Sequence, residues 1–478
     1  MKVLFVSAEV SPYSKTGGLG DVAGSLPKAL RDRGVDVRVV LPKFGSIPAA
    51  LLDGARNIAN FTVHLSSVAQ NAAVYALDPH GNGDSVYFIE NEPYFGRDNI
   101  YGYDDDAQRF AFFTKAAVEL MGYIGFEADI LHFNDWHSGL GPVYLRDLYK
   151  GFTFYNSMKS LFTIHNLHYQ GNYGRQTLGN IGLNDGYFTN GDLEFYGNIS
   201  FMKAGILHSD AVSTVSRTYA AEIMTPAYGY GMDGLLRKRG KDERLFGIVN
   251  GIDTAVYDPE TDPRLFVNFG KDTPDKKREN KHRLQEALGL TVCDAPMFSM
   301  VTRLAEQKGL DIISLIVDEL MTMDIQLVVL GTGEGRYEEL FKSYARRYPH
   351  KVSANITFDS TLAQRIYAGS DIFLMPSVYE PCGLGQLFAL RYGAIPIVRK
   401  TGGLADTVWH YNRGTGQGNG FVFEDYVASA LMWAVKEALD VYGTADWEAL
   451  VKTAMSGDFS WDSSAEEYIA LYQKIMDL

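Results

Sequence analysis

The sequence predicts an α/β fold with two doubly wound parallel-sheet domains, and three observations lead to this prediction. Short apolar segments alternate with amphipathic ones along most of the 478 residues, a pattern typical of parallel sheets covered by helices on both faces. A chain of this length exceeds what one hydrophobic core normally supports. Nearly the same peptide also occurs once in each half, as KTGGLGD at 15–21 and KTGGLAD at 400–406.

The elements of the first half follow from hydrophobic spacing. Each strand candidate is a short apolar run rich in β-branched or aromatic residues, and each helix candidate repeats its apolar residues at helical spacing. We predict strands at 3–7, 37–41, 86–89, 130–133, 159–164, 211–214 and 246–249, and helices at 20–33, 107–122 and 216–224.

The second half shows the same alternation after a stretch at 250–274 that is rich in Asp, Pro and Thr and has little periodicity. Strands are expected at 297–302, 325–330, 352–356, 372–375 and 395–398, and helices at 276–288, 310–323, 337–348, 362–369 and 384–392. We therefore predict domains at 1–252 and 253–459. Residues 460–478 form a final amphipathic helix that could pack back on the first domain; its apolar face would comprise Trp461, Tyr468, Leu471, Tyr472 and Ile475.

Composition narrows the class of protein. The formal net charge is −14, from 44 basic and 58 acidic residues, which argues against nucleic acid as the main partner. Two cysteines, Cys293 and Cys382, provide no disulfide framework and suit a reducing cytoplasm. No run approaches the roughly 20 apolar residues that a bilayer crossing needs. These features predict a cytoplasmic protein without a membrane partner.

The repeated glycine peptide predicts a phosphate loop in each half. Gly17 and Gly18 would let backbone approach a ligand closely, the helix that follows offers free N–H groups, and Lys15 supplies a cation. The two loops could face each other across a cleft. A dinucleotide fingerprint on Gly18, Gly20 and Gly24 is disfavoured, because residues 8–16 separate it from its strand. A purely structural tight turn remains an alternative.

Charged residues follow two of the strands predicted in the second half. Glu380 comes after the strand at 372–375, where ligands bind in doubly wound sheets, although it could merely cap the next helix. Arg303 and Lys308 follow the strand at 297–302 and could clamp a diphosphate. Solvated surface charges are the alternative for this pair.

Polar clusters beside aromatic residues occur at the ends of two first-half strands, NDWH at 134–137 and HNLHYQG at 165–171. Such clusters suit sugar recognition, because hydroxyl groups need polar partners and the C–H face of a sugar needs an aromatic surface. The histidines here match no standard zinc spacing, so we do not expect a metal site. The aromatic loop at 94–103 could hold glucan chains or could be an ordinary packed loop.

Taken together, these motifs resemble the bacterial glycogen synthases and plant starch synthases, retaining glycosyltransferases of the GT-B fold. Two Rossmann-like domains face each other across a deep cleft in that fold. The resemblance covers essentially the whole chain. It rests on KTGGL at 15–19, NDWH at 134–137, HNL at 165–167, GIVNGID at 247–253, Arg303 with QKGL at 307–310, EPCGL at 380–384 and KTGGL at 400–404.

The resemblance implies transfer of glucose from ADP-glucose to the non-reducing 4-hydroxyl of an α-1,4-glucan such as glycogen, with retention and without metal or cofactor. It implies that Arg303 and Lys308 hold the diphosphate, with Lys15 lining the cleft from the other domain. Glu380 would bind the donor glucose, and His165 would support charge at the anomeric carbon through its carbonyl group. The other binding positions that it implies are Gly17, Gly18, Asp21, Asp135, Asn166, Asn250, Phe358, Cys382, Gly383 and Leu384.

Two departures from the family pattern affect the donor. Phe388 stands where many retaining GT-B enzymes have a Glu that binds ribose, and Gly385 stands where some relatives have Thr. The preference for ADP over UDP is therefore not decided by these residues. Another glucosyltransferase of the same fold and a non-catalytic glucan-binding relative are the alternative functions.

Overall fold

A computed structural model describes residues 1–66, 68–78, 81, 83 and 85–478. This part of the chain forms two compact units. The first consists of Met1–Gly251 together with Trp461–Leu478, and the second is Ile252–Ser460. Each unit has its own large, mainly parallel sheet and its own hydrophobic core.

The first unit is built on a nine-stranded sheet in the order β12-β11-β7-β6-β1-β2-β5-β4-β3, and a small sheet of order β8-β10-β9 lies outside it. In the large sheet neighbours pair in parallel, except that β4 is antiparallel to β3 and β5. The strands are β1 (Lys2–Val6), β2 (Asp36–Pro42), β3 (Arg56–Leu65), β4 (Val68–Leu77), β5 (Val86–Glu90), β6 (Ile130–Asn134), β7 (Lys159–Ile164), β8 (Asn172–Gly174), β9 (Glu194–Phe195), β10 (Asn198–Ser200), β11 (Ala211–Thr214) and β12 (Leu245–Gly247).

Helices of the first unit cover this sheet. They are α1 (Gly18–Asp32), α2 (Glu92–Phe95), α3 (Asp106–Ile124), α4 (Gly141–Val143), α5 (Gly186–Thr189), α6 (Phe201–His208), α7 (Arg217–Glu222) and α8 (Asp233–Lys241). Helix α1 buries Leu19, Val22, Leu26 and Leu30 at helical spacing, so one apolar stripe fixes it on the sheet.

The second unit is a six-stranded, wholly parallel sheet in the order β15-β14-β13-β16-β17-β18. Its strands are β13 (Met297–Val301), β14 (Gln326–Leu330), β15 (Val352–Asn355), β16 (Ile372–Met375), β17 (Ile395–Arg399) and β18 (Phe421–Phe423). Its helices are α9 (Pro274–Ala287), α10 (Leu310–Thr322), α11 (Gly335–Arg347), α12 (Ser360–Gly369), α13 (Gly385–Arg391), α14 (Gly402–Thr407), α15 (Ala428–Val441) and α16 (Ala445–Met455).

The last helix, α17 (Trp461–Met476), belongs to the first unit. The five residues of its predicted apolar face are all buried, which confirms that face. The hydroxyl group of Tyr472 lies 2.8 Å from Nδ1 of His132, a buried residue of β6. At the surface, Asp462 forms an ion pair with Arg33 just after α1. Of the helices in the described ranges, none combines the length and apolarity that a bilayer crossing requires.

Candidate functional site

The predicted site residues of the first unit follow three adjacent parallel strands. Lys15 comes after β1, Asp135 follows β6 directly, and His165 follows β7 directly. The strands end in register, with Val6 beside Phe133 and Asn134 beside Thr163. Because the carboxyl ends of parallel strands meet at one edge of a sheet, these side chains form one group, the first-unit cluster.

The first glycine loop leaves open space above its backbone. Gly17 caps α1 and Gly18 is its first residue, and a Cβ atom on either would meet nothing within 4 Å. A Cβ atom on Gly20 would lie 2.9 Å from Cγ of Lys15, so this glycine makes room for the lysine stem. Lys15 Nζ lies 2.6 Å from the Asp21 carboxylate and its side chain is 41% exposed. Burial raises the pKa of Asp21, and Lys15 opposes that shift.

A buried carboxylate that sequence reasoning missed, Glu9, holds this loop. Its Oε2 atom accepts hydrogen bonds from the backbone N–H groups of Thr16 (2.6 Å) and Gly17 (3.0 Å). Its Oε1 atom accepts from the hydroxyl groups of Thr16 and Tyr101, both at 2.7 Å. The signal in the sequence was an acidic residue three positions after a buried strand, and no spacing rule gives that a role.

Asp135 organises the turn after β7. Its Oδ1 atom accepts from the backbone N–H groups of His165 (2.8 Å) and Asn166 (3.4 Å). Its own backbone has φ = 56°, a strained conformation for a non-glycine residue, and such strain is common at functional sites. Burial raises the pKa of Asp135 to about 7, against the opposing effect of the two N–H donors, and Glu9 adds to the rise.

His165 is a neutral, oriented imidazole. Burial lowers the pKa of His165 to about 3, so the ring is uncharged near neutral pH. Its Nε2 atom lies 2.9 Å from Oδ1 of Asn134, whose amide group donates to the carbonyl oxygen of Val6 at 3.1 Å. That donation leaves Oδ1 as the acceptor, so Nε2 of His165 carries the proton.

Nδ1 of His137 and Oδ1 of Asn250 are among the buried polar atoms of the first unit that have no hydrogen-bond partner within the described residues. His137 also stacks on Tyr101, with ring centroids 4.7 Å apart. Unsatisfied buried polar atoms are rare in native proteins, and these two lie beside the first-unit cluster or in a residue at a predicted binding position. His137 stood in a motif quoted above, yet no role was predicted for it.

The aromatic loop at 94–103 is a packed loop. Arg109 is fully buried beneath it and donates to the carbonyl oxygens of Tyr94 (2.7 Å) and Ile100 (3.1 Å). Tyr94 and Phe95 are buried as well. Of the two interpretations of this loop, packing is the one that these contacts support.

In the second unit, Glu380 follows β16 and is the centre of a second group, the second-unit cluster. It is 7% exposed, and its Oε2 atom accepts from Nζ of Lys308 (2.6 Å) and from the hydroxyl group of Ser377 (3.0 Å). Helix α13 has Leu384 as its N-cap and no side-chain cap. The alternative that Glu380 merely caps this helix is therefore wrong.

Lys308 reaches Glu380 because a short 3₁₀ turn, Glu306–Lys308, lies against the segment that leaves β16. Gly309 ends this turn with φ = 76°, and a Cβ atom there would clash with the carbonyl oxygen of Pro376. Only glycine meets both demands without strain. Arg303 is exposed, and its guanidinium donates to the side chain of Gln307 at 3.2 Å.

The second glycine peptide packs against the backbone of the segment that carries Glu380. Gly402 has φ = 44°, and a Cβ atom on it would clash with the carbonyl oxygen of Glu380; one on Gly403 would clash with that of Cys382. Lys400 instead forms an ion pair of 2.6 Å with Glu424, and both side chains are more than half exposed. The prediction that this copy presents an open, lysine-bearing phosphate loop is wrong, because its glycines are packed against backbone.

The remaining predicted positions differ in what they expose. Phe358 follows β15 and is 89% exposed, whereas Cys382 is buried and can offer a ligand only its backbone. Gly383 and Leu384 directly precede α13. Phe388 is partly buried and stacks on Tyr257, with ring centroids 4.1 Å apart, against a small apolar cluster. Among the residues that the structure describes, no group of His, Cys, Asp and Glu could hold a metal ion.

Two family models match the chain, one within each of the two units. The model described as "Starch synthase catalytic domain" matches residues 2–238, and "Glycosyl transferases group 1" matches residues 290–446. Among curated proteins, the glycogen synthase of Desulforamulus reducens is 49% identical, with 100% of this chain and 99% of the relative covered. The glycogen synthase of Clostridium acetobutylicum is 50% identical, with 100% of both chains covered.

Solved structures give the same result. The catalytic domain of starch synthase IV from Arabidopsis thaliana, bound to ADP and acarbose, is 34% identical with a TM-score of 0.91, covering 100% of this chain and 99% of that one. Sucrose-phosphate synthase from Thermosynechococcus elongatus has a TM-score of 0.61 at 17% identity, with 100% of this chain and 99% of that one covered, which shows a similar fold. The chain therefore belongs to the glycogen synthase and starch synthase family of GT-B glycosyltransferases.

Proposed function

We propose that this protein is a glycogen synthase of the starch-synthase type. It transfers glucose from ADP-glucose to the non-reducing 4-hydroxyl of an α-1,4-glucan, retains the anomeric configuration and needs no metal or cofactor. The observation that carries the proposal is the buried Lys308–Glu380 pair at the carboxyl edge of the second parallel sheet, in a chain that is 49% identical to a glycogen synthase over its full length.

The negative charge of the leaving group, ADP, explains why the proposed site contains Lys308, Arg303 and Lys15. When the bond to glucose breaks, negative charge develops on ADP, and fixed cations stabilise such charge best where water is largely excluded. Lys308 is mostly buried, at 18% side-chain exposure, and would hold the diphosphate together with the more exposed Arg303. From the first unit, Lys15 would add a third cation, and the open backbone of Gly17 and Gly18 would let the donor approach closely.

Glu380 would orient the transferred glucose. Both of its side-chain donors within the described residues reach Oε2, which leaves Oε1 to accept from sugar hydroxyl groups. Backbone N–H groups of Cys382, Gly383 and Leu384 would assist. The buried side chain of Cys382 takes no part in this role.

His165 would act through its main chain. Its imidazole is neutral because burial lowers the pKa of His165 to about 3, so the ring brings no positive charge to the anomeric carbon. Its carbonyl group would face the developing positive charge on the sugar, and the bonds from Asp135 fix this turn. Asp21, Asp135, Asn166 and Asn250 would bind sugar hydroxyl groups on the donor or acceptor side.

The base of the donor would stack on Phe358, which offers a largely exposed ring. Residue 388 offers no carboxylate to the ribose, because it is Phe388, whose ring packs on Tyr257. The choice of ADP over UDP therefore rests on contacts elsewhere. We also propose a cytoplasmic location, which the two free cysteines, Cys293 and Cys382, support.

The test is nucleotide release from ADP-glucose and from UDP-glucose, with and without glycogen, in excess EDTA. Glycogen-dependent ADP release that survives chelation is the expected result. Preference for UDP-glucose would overturn the donor, and loss of activity with EDTA would overturn metal independence. Silence with both donors would contradict the proposed reaction.

A further inference from the structure

Glu9 is a nearly inaccessible carboxylate whose bonding capacity is used by the protein itself. It is 4% exposed, and each of its oxygens accepts two hydrogen bonds, three of the four from Thr16 and Gly17 in the glycine loop. A carboxylate has about four acceptor positions. Glu9 therefore has little capacity left for a substrate hydroxyl group or for a proton in transfer.

The fourth donor to Glu9 is anchored to a rigid segment. The hydroxyl group of Tyr101 reaches Oε1 at 2.7 Å, and its ring stacks on His137. The backbone of this segment is held by the buried guanidinium of Arg109, which donates to the carbonyl oxygen of Ile100. Glu9 thus connects the glycine loop to a fixed part of the first unit.

We propose that Glu9 is a positioning residue that sets the place of Lys15, Gly17 and Gly18 before the donor arrives. The inference rests on the proposed function, in which these three residues meet the donor. With Thr16 and Gly17 held by their N–H groups, the loop keeps its open backbone, and the lysine stem lies over Gly20. A loop that is already held in place lowers the entropy cost of ordering its backbone and Lys15 when the donor binds and reacts.

Two substitutions of Glu9 separate positioning from charge. Glu9→Ala removes all four acceptors, and we expect kcat/KM for ADP-glucose to fall about 100-fold, the usual effect of a misplacement of about 1 Å. Glu9→Gln keeps one oxygen for the two backbone donors, while its NH₂ group can donate to the hydroxyl groups of Thr16 and Tyr101. We therefore expect Glu9→Gln to stay within about tenfold of the wild type. If Glu9→Gln is as impaired as Glu9→Ala, the charge matters and the positioning role is overturned.

A double-mutant cycle with Lys15→Ala asks whether Glu9 acts through the loop. Substitutions that act through one another are not additive, so Glu9→Ala combined with Lys15→Ala should be little slower than Lys15→Ala alone. Full additivity would contradict the proposal. Thr16→Val, which removes one hydrogen bond and keeps the backbone, replaces Glu9→Ala in this cycle if that variant does not fold.

Hydrogen exchange decides the structural claim without any activity. The amide groups of Thr16 and Gly17 should exchange at least about tenfold faster in Glu9→Ala than in the wild type. The matched control is Glu119→Ala. Glu119 lies near the carboxyl end of α3, and its carboxylate accepts a hydrogen bond from another tyrosine, Tyr149. In this variant, amide exchange in the glycine loop and kcat/KM should stay at the wild-type level. Unchanged exchange in Glu9→Ala would overturn the inference. If the wild-type chain releases no nucleotide but this exchange difference is found, the proposed reaction fails and the positioning role stands.

Discussion

At the scale of single residues, the proposed chemistry of the second unit depends on one largely buried ion pair. Lys308 and Glu380 lie 72 positions apart in sequence, and 2.6 Å separates their charged atoms. Removing one partner of such a pair leaves the other charge buried and uncompensated. Both the binding of the diphosphate and the orientation of the glucose should therefore suffer when either residue is changed.

We predict that Lys308→Ala lowers kcat/KM for ADP-glucose by about 100- to 1000-fold, the effect of losing one donor to a developing anion. The measurement is steady-state ADP release with glycogen. Lys400→Ala is the matched control, because Lys400 pairs with Glu424 at the surface and should show wild-type rates. Turnover near the wild-type level in Lys308→Ala would contradict the diphosphate role.

The pH dependence should come from Asp135, because burial raises the pKa of Asp135 to about 7. The carboxylate is the form that accepts from two backbone N–H groups and that would accept from a sugar hydroxyl group in the proposed function, so kcat/KM should rise with pH through about 7. Asp135→Asn should lose this limb of the profile, measured from about pH 5.5 to 8.5. An unchanged limb in Asp135→Asn would assign it to another group.

The contribution of Asp135 to the free energy of unfolding should fall as pH rises, whereas its contribution to kcat/KM should rise. Unfolded Asp has a pKa of about 4, so the folded state binds the proton of Asp135 more tightly than the unfolded state does. The free energy of unfolding therefore has a contribution from Asp135 that is complete below about pH 4 and is lost as pH rises to about 7. Asp135→Asn, which stays neutral, should flatten this part of the stability profile in denaturant titrations.

At the scale of elements, the buried strands were predictable because burial on both faces demands an unbroken apolar run. Residues 3–6 of β1 have no exposed surface, and the predicted strand at 3–7 is confirmed to within a residue at each end. Strands β3 and β4 were not predicted. Phe61, Val63 and Leu65 are buried while the residues between them are exposed, so the signal was an alternation with period two, which a search for apolar runs misses.

The repeated peptide shows the limit of motif reasoning at this scale. Both copies start a helix after a strand, as predicted, yet only the first leaves its glycines open. The difference lies in tertiary contact: Gly402 and Gly403 meet the backbone of 380–382, the segment that follows the neighbouring strand β16. Nothing within a seven-residue peptide encodes that contact. The same is true of Glu9, whose partners come from the loop and from Tyr101.

Alanine at the two equivalent glycines, Gly17 and Gly402, should therefore affect different properties: donor binding in the first case and stability in the second. Gly17→Ala meets no atom within 4 Å, so we expect an unchanged free energy of unfolding and a higher KM for ADP-glucose. Gly402→Ala clashes with the carbonyl oxygen of Glu380 at φ = 44°, and should lower the free energy of unfolding by about 1–3 kcal/mol. Equal effects at both positions, in denaturant titrations and donor kinetics, would contradict the distinction between an open first glycine loop and a packed second one.

At the scale of the whole molecule, the first unit is discontinuous in sequence. The chain leaves it at Gly251 and returns to it at Trp461, and α17 then covers His132 with the hydroxyl group of Tyr472. Without that helix, His132 and the apolar residues beside it would face water. The amphipathic face of α17 was evident from sequence, but its buried partner was not, because His132 lies 340 positions away.

We predict that Tyr472→Phe lowers the free energy of unfolding by about 1–3 kcal/mol, because it leaves Nδ1 of His132 buried without its partner. Chemical denaturation of the full chain measures this. Tyr123→Phe, at a tyrosine that is 59% exposed, should stay within about 0.5 kcal/mol of the wild type. Equal stability of Tyr472→Phe and the wild type would mean that this hydrogen bond contributes nothing.

The return of the chain at Trp461 also has a consequence for biosynthesis. A nascent polypeptide emerges from the ribosome at roughly 5–20 residues per second, so the 209 residues of Ile252–Ser460 delay α17 by roughly 10–40 s after Gly251 has been made. During that interval the edge of the core around His132 lacks its cover, whereas the later unit can already close on itself. The order of synthesis is thus the reverse of the order of completion: the unit translated first is the last to mature. Chaperones that recognise exposed apolar surface should therefore meet this protein chiefly at its amino-terminal half.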